Sequence, residues 1–547
     1  MSNPAPKEEA KGLPNADPEG KLAAGSNTKF DVVEYSSNPI ARFFQFLASF
    51  LIPGLGMTCE AYVIFSVGNL KPIFQQAYPK CWGKGAKDCD QGLLNSLTYS
   101  QIAGIIVGML TLGYLTDRIG RKWGSVVTAS TMLVGAILLT AADAPSINGL
   151  FLMFVIVQGI YGVGVGGEYP TASSAANERA NSTKHLQKLR GRTVVLVFSN
   201  QGLGNLLNTL VLLILMTIFH QYGPKYNQRS LEAVWRISYG IVLIPLVFLT
   251  LWRIFMVKES KTWAGNRRAI SETALTHKEV STAFSTRKLT KLFTYFSSRM
   301  MASGVTWFVN DFAFYGNKLF QGVFIKIINP HASLVEVLEL TLINSVVGYV
   351  GYILAAFVID LKGVGRMRLQ SFGFFMNMLM FLICAAAYPQ LTEPANINGF
   401  RAIYYLSSFF QQFGPNCTTW LISAELVPTE VRSMAHGWAA AVGKVGALIA
   451  GATLELVSNR NKFWISAATG LSGIIFTVLF VPDISFLDLK ELDRYWLKCL
   501  AGDAKSYHGE AVNPKFLSPW ERLCGVGKAY DPNADKSDLK LEETGGN

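Results

Sequence analysis

The chain has 547 residues and a formal net charge of +12; half of it is hydrophobic and 16% is charged. So little charge among so much Phe, Leu and Val excludes a soluble protein of this size and points to a polytopic membrane protein. A nucleic-acid partner is excluded too, because the Lys and Arg residues fall in short connections between apolar stretches and no soluble basic domain exists to hold one.

In chain order, residues 1–40 come first: a polar, Pro-, Gly- and Ala-rich segment with no apolar core. It reads as a disordered cytoplasmic tail rather than a cleavable signal. A helical crossing of the hydrocarbon layer needs about 20 apolar residues. Stretches of that kind lie near 41–68, 93–116, 123–142, 148–172, 192–219, 234–256, 299–327, 337–360, 367–388, 400–427, 432–457 and 461–482. The fold class expected is all-α and integral to the membrane, with twelve helices in two six-helix bundles. The bundles occupy 41–256 and 299–482, a polar, basic cytoplasmic linker 257–298 joins them, and 483–547 form a second cytoplasmic tail.

Basic residues collect in the connections between spans 2 and 3 (Arg118, Arg121, Lys122), 4 and 5 (Arg179, Lys184, Lys188, Arg190, Arg192) and 8 and 9 (Lys362, Arg366, Arg368). The connection between spans 3 and 4 has none, so both termini are expected in the cytoplasm. The first external loop is the exception, with Lys71, Lys80, Lys84 and Lys87 beside Asp88 and Asp90. It also carries Cys81 and Cys89, close in sequence and on the oxidising side, where a disulfide is expected.

The halves repeat each other. "GYLTDRIGRKWG" (113–124) follows span 2 and "GYILAAFVIDLKGVGRMRLQ" (351–370) follows span 8. Each gives a glycine-bearing helix end, an acid and then Gly-Arg, and Asp117, Arg118, Arg121, Asp360 and Arg366 read as gating loops. Such duplication suits transporters that work by alternating access around a site between repeats.

Ionisable groups at membrane depth are costly and usually face a cavity or a partner. Spans 1, 4 and 7 each carry one: Glu60 in "GMTCEAYVIF", Glu168 in "GVGVGGEYP" and Asp311 in "GVTWFVNDFAFYGN". Lys444 lies mid-span in "AAAVGKVGALIAG", a candidate to attract an anion. The competing reading is a fixed pairing of each acid with a neighbouring helix, and for Lys444 a permanent salt bridge to one of the acids. Both hold in turn if a substrate anion displaces the carboxylate. Trp307, Asp311 and Tyr315 are spaced i, i+4, i+8 and share one helix face. The glycines before Glu168 are close-packing residues for a neighbouring helix.

The repeated "G-x-L-x-D-R-x-G-R-K" resembles the signature loop of the major facilitator superfamily, a resemblance that runs from about 40 to 490. "GVGVGGEYP" together with 413–451 resembles the phosphate:proton symporter family and, within it, the fungal glycerophosphodiester permeases. This resemblance implies a substrate site made of Tyr169, Gln201, Trp307, Asp311, Tyr315 and Asn416, joined by Lys444. It implies proton-coupled import of glycerophosphocholine or glycerophosphoinositol at the plasma membrane by a monomer. The chain departs from the family at Val63, where a second span-1 aspartate belongs, and at Glu168, where the family has Asp. These departures favour a bulkier phosphodiester over free phosphate, which stays as the alternative; a sugar or polyol porter is a further one, suggested by "QQFGPN" (411–416).

For proton coupling, Asp311 is the first candidate, then Glu168 and Glu60. A phosphodiester beside an ionised Asp311 is repelled, and protonation removes the conflict. The seven cysteines and six histidines show no metal spacing, and the apolar segments hold no nucleophile–base pair, so no metal, cofactor or enzymatic reaction is expected.

Overall fold

A computed structural model describes residues 38–82, 89–181, 184–276, 286–319, 325, 332–454 and 456–533; the N-terminal tail expected at 1–40 falls almost wholly outside them. Chain contacts divide the protein into two units, 1–49 and 50–547. In the first, the described residues open a helix that leaves Ile40, Phe43 and Phe44 exposed. The second holds everything described below.

Twelve helical spans lie among the described residues. In the first six positions are Pro39–Ala77, Gln91–Ile119, Arg121–Thr140, Ile147–Ala180, Arg190–Ile218 and the pair Gln228–Ile241 and Leu243–Phe255. The other six are Thr286–Leu319, Leu334–Val358, Gly365–Ala386, the broken helix from Ile397 to Glu425, Arg432–Leu454 and Asn459–Phe480. Among the described residues, ten helices are long and apolar enough to cross a membrane. The seventh span falls short because its opening turns, "TRKLTK", are basic and its centre carries Asn310 and Asp311. The tenth falls short because it is interrupted. Outward-facing positions such as Val107, Leu110, Val134, Ile137, Leu152 and Ile156 are exposed apolar side chains, as a lipid-facing surface requires.

Several boundaries follow from local chemistry. Ser146 opens span 4 by accepting a hydrogen bond from the Gly149 amide, and Ser458 opens span 12 by accepting one from Asn461. Ser333 and Glu336 form a reciprocal capping box at the start of span 8. Where polar sequence continues past the apolar core, the helix continues too: span 1 runs on to Ala77, span 4 to Ala180, and span 7 already includes Thr286. The connection at 257–298 therefore contains helix, including Lys261–Thr276, and the segment after span 12 contains Leu489–Ala501. That segment is fastened by Arg299 to Glu521 (2.6 Å) and by the indole N–H of Trp496 to Glu430 (2.6 Å). Cys81 and Cys89 are joined by a disulfide.

The glycine run of span 4 explains how that helix sits. A Cβ on Gly166 would lie 2.1 Å from the Ile105 carbonyl oxygen of span 2, and one on Gly164 would lie 2.7 Å from the Met132 amide of span 3. The backbones touch, as small residues permit in membranes. Span 10 departs from regularity at Gln412–Asn416, a π-helical turn holding Pro415. Proline lacks an amide and its ring displaces the carbonyl four residues back, so the ladder there loosens. The wide turn presents Gln412 and Asn416 to the same interior space.

Candidate substrate-binding site

At the interior of the second unit, span 11 supplies Lys444 and span 7 supplies Asp311. Lys444 Nζ donates to Asp311 Oδ2 at 2.7 Å, and both residues are buried. The ammonium also lies 4.9 Å from the Tyr169 ring centroid and 4.6 Å from that of Tyr315, a cation–π arrangement on two faces. Gly443 lets the Trp307 indole lie against span 11, since a Cβ there would be 2.6 Å from the ring. Trp307 in turn packs on Tyr169 and His436.

From Asp311 a chain of hydrogen bonds crosses between the two halves. Asn310 donates to Asp311 Oδ1 (3.0 Å) and accepts from Gln411 Nε2 (2.5 Å). Asn416 Nδ2 donates to the Tyr352 hydroxyl (2.7 Å) and to Gln412 Oε1 (2.7 Å). Tyr352 donates to Gln201 Oε1 (2.9 Å), and Gln201 Nε2 donates to the Tyr169 hydroxyl (2.5 Å). Glu60, fully buried on span 1, has both carboxylate oxygens without a hydrogen-bond partner. The groups around it are the Tyr169 hydroxyl, the Gln201 amide, the Lys444 ammonium and, as a second negative charge, Glu168.

The structure thus brings Tyr169, Gln201, Trp307, Asp311, Tyr315, Asn416, Lys444 and Glu60 into one region. It gives Glu168 a separate partner. Arg253 holds that carboxylate from span 6 with Nη1 at 2.7 Å and Nη2 at 2.5 Å, and the Thr128 hydroxyl adds a third bond at 3.1 Å. Its hydrogen-bond partners belong to spans 3 and 6, and its carboxylate lies against Gly56 of span 1, where a Cβ would be 1.9 Å from Oε1, one turn from Glu60.

The residues of the two repeated loops form two matching clusters. Asp117, paired with Arg121 at 2.5 Å, accepts from the amides of Ser433 (3.3 Å) and Met434 (2.7 Å) at the start of span 11. Asp360, paired with Arg366 at 2.6 Å, accepts from the amides of Gly191 (3.2 Å) and Arg192 (2.7 Å) at the start of span 5. Arg121 reaches Glu178 at 2.8 Å, and Arg366 reaches Glu425 at 3.0 Å. Arg190 also binds Glu425 at 2.6 Å, and Arg432 approaches Glu178 at 3.9 Å. Helix N-termini carry partial positive charge, so each acid is well placed electrostatically. Arg118 stands apart, its guanidinium 5.4 Å from the Tyr114 ring.

Sequence reasoning missed Arg253, Asn310, Tyr352, Glu178 and Glu425, and took Gln411 and Gln412 only as part of "QQFGPN", the stretch that suggested a sugar porter. Arg253 and Glu425 had a legible signal, each being an ionisable residue in an apolar run ("LWRIF", "ISAEL"). Tyr352 had none, since a tyrosine in a membrane helix is ordinarily packing.

The profile of a family described as "sugar (and other) transporter" matches residues 50–496. A Schizosaccharomyces pombe protein, provisionally named as an inorganic phosphate transporter, is 28% identical over 526 residues, covering 83% of this chain and 89% of its own. The rice protein named inorganic phosphate transporter 1-2 is 27% identical, covering 83% and 94%. Among solved structures, a doubly Trp-substituted XylE superposes with a TM-score of 0.61 at 20% identity, over 83% of this chain and 98% of that one. A D-xylose-proton symporter gives 0.58 at 19% identity, over 80% and 98%. At those identities the likeness is one of fold.

Proposed function

We propose that this chain, which belongs to the sugar (and other) transporter family, imports a phosphate-bearing anion together with protons by alternating access. The observation that carries the reading is the buried Lys444, held by Asp311 and framed by Tyr169 and Tyr315. An arriving anion competes with Asp311 for the ammonium. The displaced carboxylate, in a dry environment and beside a second negative charge, takes a proton, so anion and proton load together. A neutral sugar gives Lys444 nothing to bind.

Inorganic phosphate is the first reading, because the relatives at 27–28% identity bear that substrate in their names. A glycerophosphodiester is the second reading. It is favoured by Val63, which leaves Glu60 as the one acid of the "EAYV" segment and lowers the charge facing a larger, singly negative substrate. The bundles are those at 41–256 and 299–482, and the basic connections and both tails face the cytoplasm of a plasma-membrane protein acting as a single chain.

The test is uptake of labelled phosphate, glycerophosphocholine and glycerophosphoinositol by transporter-null cells expressing the chain, at acidic and neutral pH, with and without a protonophore. Uptake that is stronger at acidic pH, abolished by the protonophore and unaffected by excess sugar is the expected result. Competition by sugars and not by phosphate compounds would overturn it.

A further inference from the structure

We infer that His436 is the base that receives the proton from Asp311 on the inner side once the anion has left; this rests on the reading above, in which anion and proton load together. Asp311 must lose its proton before it can pair with Lys444 again. For transport to be coupled, the loss has to occur toward the cytoplasm.

His436 is placed for that task. It lies on span 11 eight residues before Lys444, about 12 Å along the helix, at the end where Asp117 accepts from the amides of Ser433 and Met434. It is fully buried. Trp307, one turn before Asp311 on span 7, packs its ring on the His436 imidazole at 5.2 Å and on Tyr169 of the charged site at 6.3 Å. The imidazole therefore stands just behind the wall of that site.

Its hydrogen bonds fix which nitrogen is basic. The Ser423 hydroxyl oxygen lies 2.7 Å from His436 Nδ1 and 3.1 Å from the Trp420 carbonyl oxygen. A hydroxyl has one proton and a carbonyl can only accept, so Ser423 donates to Trp420 and accepts from Nδ1–H. With its proton on Nδ1, the ring keeps a bare lone pair on Nε2. That nitrogen is buried and has no hydrogen-bond partner, and the same holds for the indole N–H of Trp420, whose ring meets the imidazole at 5.9 Å. Buried polar groups are ordinarily satisfied. An open acceptor beside an open donor suits a water that enters when the two halves part.

The other bases on that side are already engaged. Asp117 and Glu178 are held by Arg121, and Asp360 and Glu425 by Arg366. Spans 7 and 10 present Trp307, Trp420 and Ser423 to the imidazole, while spans 2 and 4 meet span 11 close by through the Met109 carbonyl and the Ser174 hydroxyl. None of these is charged; the charged groups along the way are Asp311 and Lys444, beyond Trp307. The step is a proton transfer through water: the O–H bond of Asp311 breaks, an N–H bond forms at Nε2, and the imidazolium then returns the proton to cytoplasmic water. Two indole rings suit a transient cation, and an imidazole with an ordinary pKa of about 6.5 releases it readily near neutral pH.

His436→Asn keeps a donor for Ser423 and removes Nε2. Wild type and variant are compared in proteoliposomes whose lumen receives the cytoplasmic face, with labelled inorganic phosphate and labelled glycerophosphocholine as probes. Counterflow, which needs no net proton movement, is expected to stay within about twofold of wild type, and proton-driven net uptake to fall at least about tenfold. Lowering the lumenal pH with the pH difference held constant should slow net uptake by wild type, because a protonated Nε2 accepts nothing, and should leave the residual uptake of the variant unchanged. His436→Gln, which keeps more of the volume, is measured in parallel and is expected to show the same split. Net uptake with the wild-type rate and the wild-type response to lumenal pH, or equal losses of counterflow and net uptake in both variants, would overturn the inference and leave the phosphate reading standing. A wild type that moves neither probe would overturn both.

Discussion

Lys444 Nζ and Asp311 Oδ2 stand 2.7 Å apart, on spans 11 and 7, in a setting where each residue is at most 2% exposed. Desolvating a pair so placed can cost more than its attraction returns unless further contacts support it, as the Asn310 amide and the two tyrosine rings do here. Removing one partner of such a pair costs about 3–5 kcal/mol when the other must stay charged, but Asp311 can escape by binding a proton. Lys444→Met is therefore expected to fold, with a modest loss of thermal stability in detergent, and to lose anion uptake by at least about tenfold, which is ~1.4 kcal/mol. A well-folded variant with unchanged uptake would make Lys444 a structural residue.

Asp311→Asn imitates the protonated carboxyl and leaves Lys444 free for an anion. It is expected to exchange labelled substrate across the membrane and to lose accumulation against a gradient. Counterflow and pH-jump uptake in proteoliposomes separate the two. Should the variant still accumulate substrate with an unaltered response to external pH, coupling passes to Glu60, the other buried acid of the site.

Glu168 and Arg253 give a different expectation, because their pairing lies among spans 3, 4 and 6 and is already complete. Arg253→Met strands a buried carboxylate and should lower stability by about 3–5 kcal/mol. The double variant Arg253→Met with Glu168→Leu should recover most of it while keeping the wild-type pH profile of uptake. Loss of proton-driven accumulation in a stable double variant would move Glu168 into the coupling machinery.

The external loop offers a chemical check. With Cys81 and Cys89 joined, peptide mapping after denaturing alkylation without reductant should find neither of these two modified, though Cys524 and the other free cysteines take label, and reduction should make both available. Label on both Cys81 and Cys89 without reductant would dismiss the bridge.

The spans were legible because a bilayer demands long apolar runs, and the ends of most helices fell within a few residues of those runs. What escaped was length: polar residues beyond the hydrocarbon carry no hydropathy signal, yet the helix of span 7 already includes Thr286, because nothing in "TRKLTK" breaks it. In the site, charged residues announced themselves by their cost in an apolar setting. Asn310, Gln411 and Tyr352 did not, because neutral polar side chains are common in such helices and only the π-helical turn at Pro415 and the crossing of spans decide which ones meet. The partner of Glu168 was hidden for a similar reason: adjacency of spans 4 and 6 is a property of the packed bundle, and sequence order does not state it.

Asp117 and Asp360 each fasten the first turn of a helix belonging to the opposite half. Each half thus holds the start of a helix of the other, and the same seam is tied twice by one repeated device. We expect the two ties to part together if the halves rock against each other, so that Asp117→Asn or Asp360→Asn alone shifts the resting population toward the face the clasps close and leaves the buried Lys444 site unaltered.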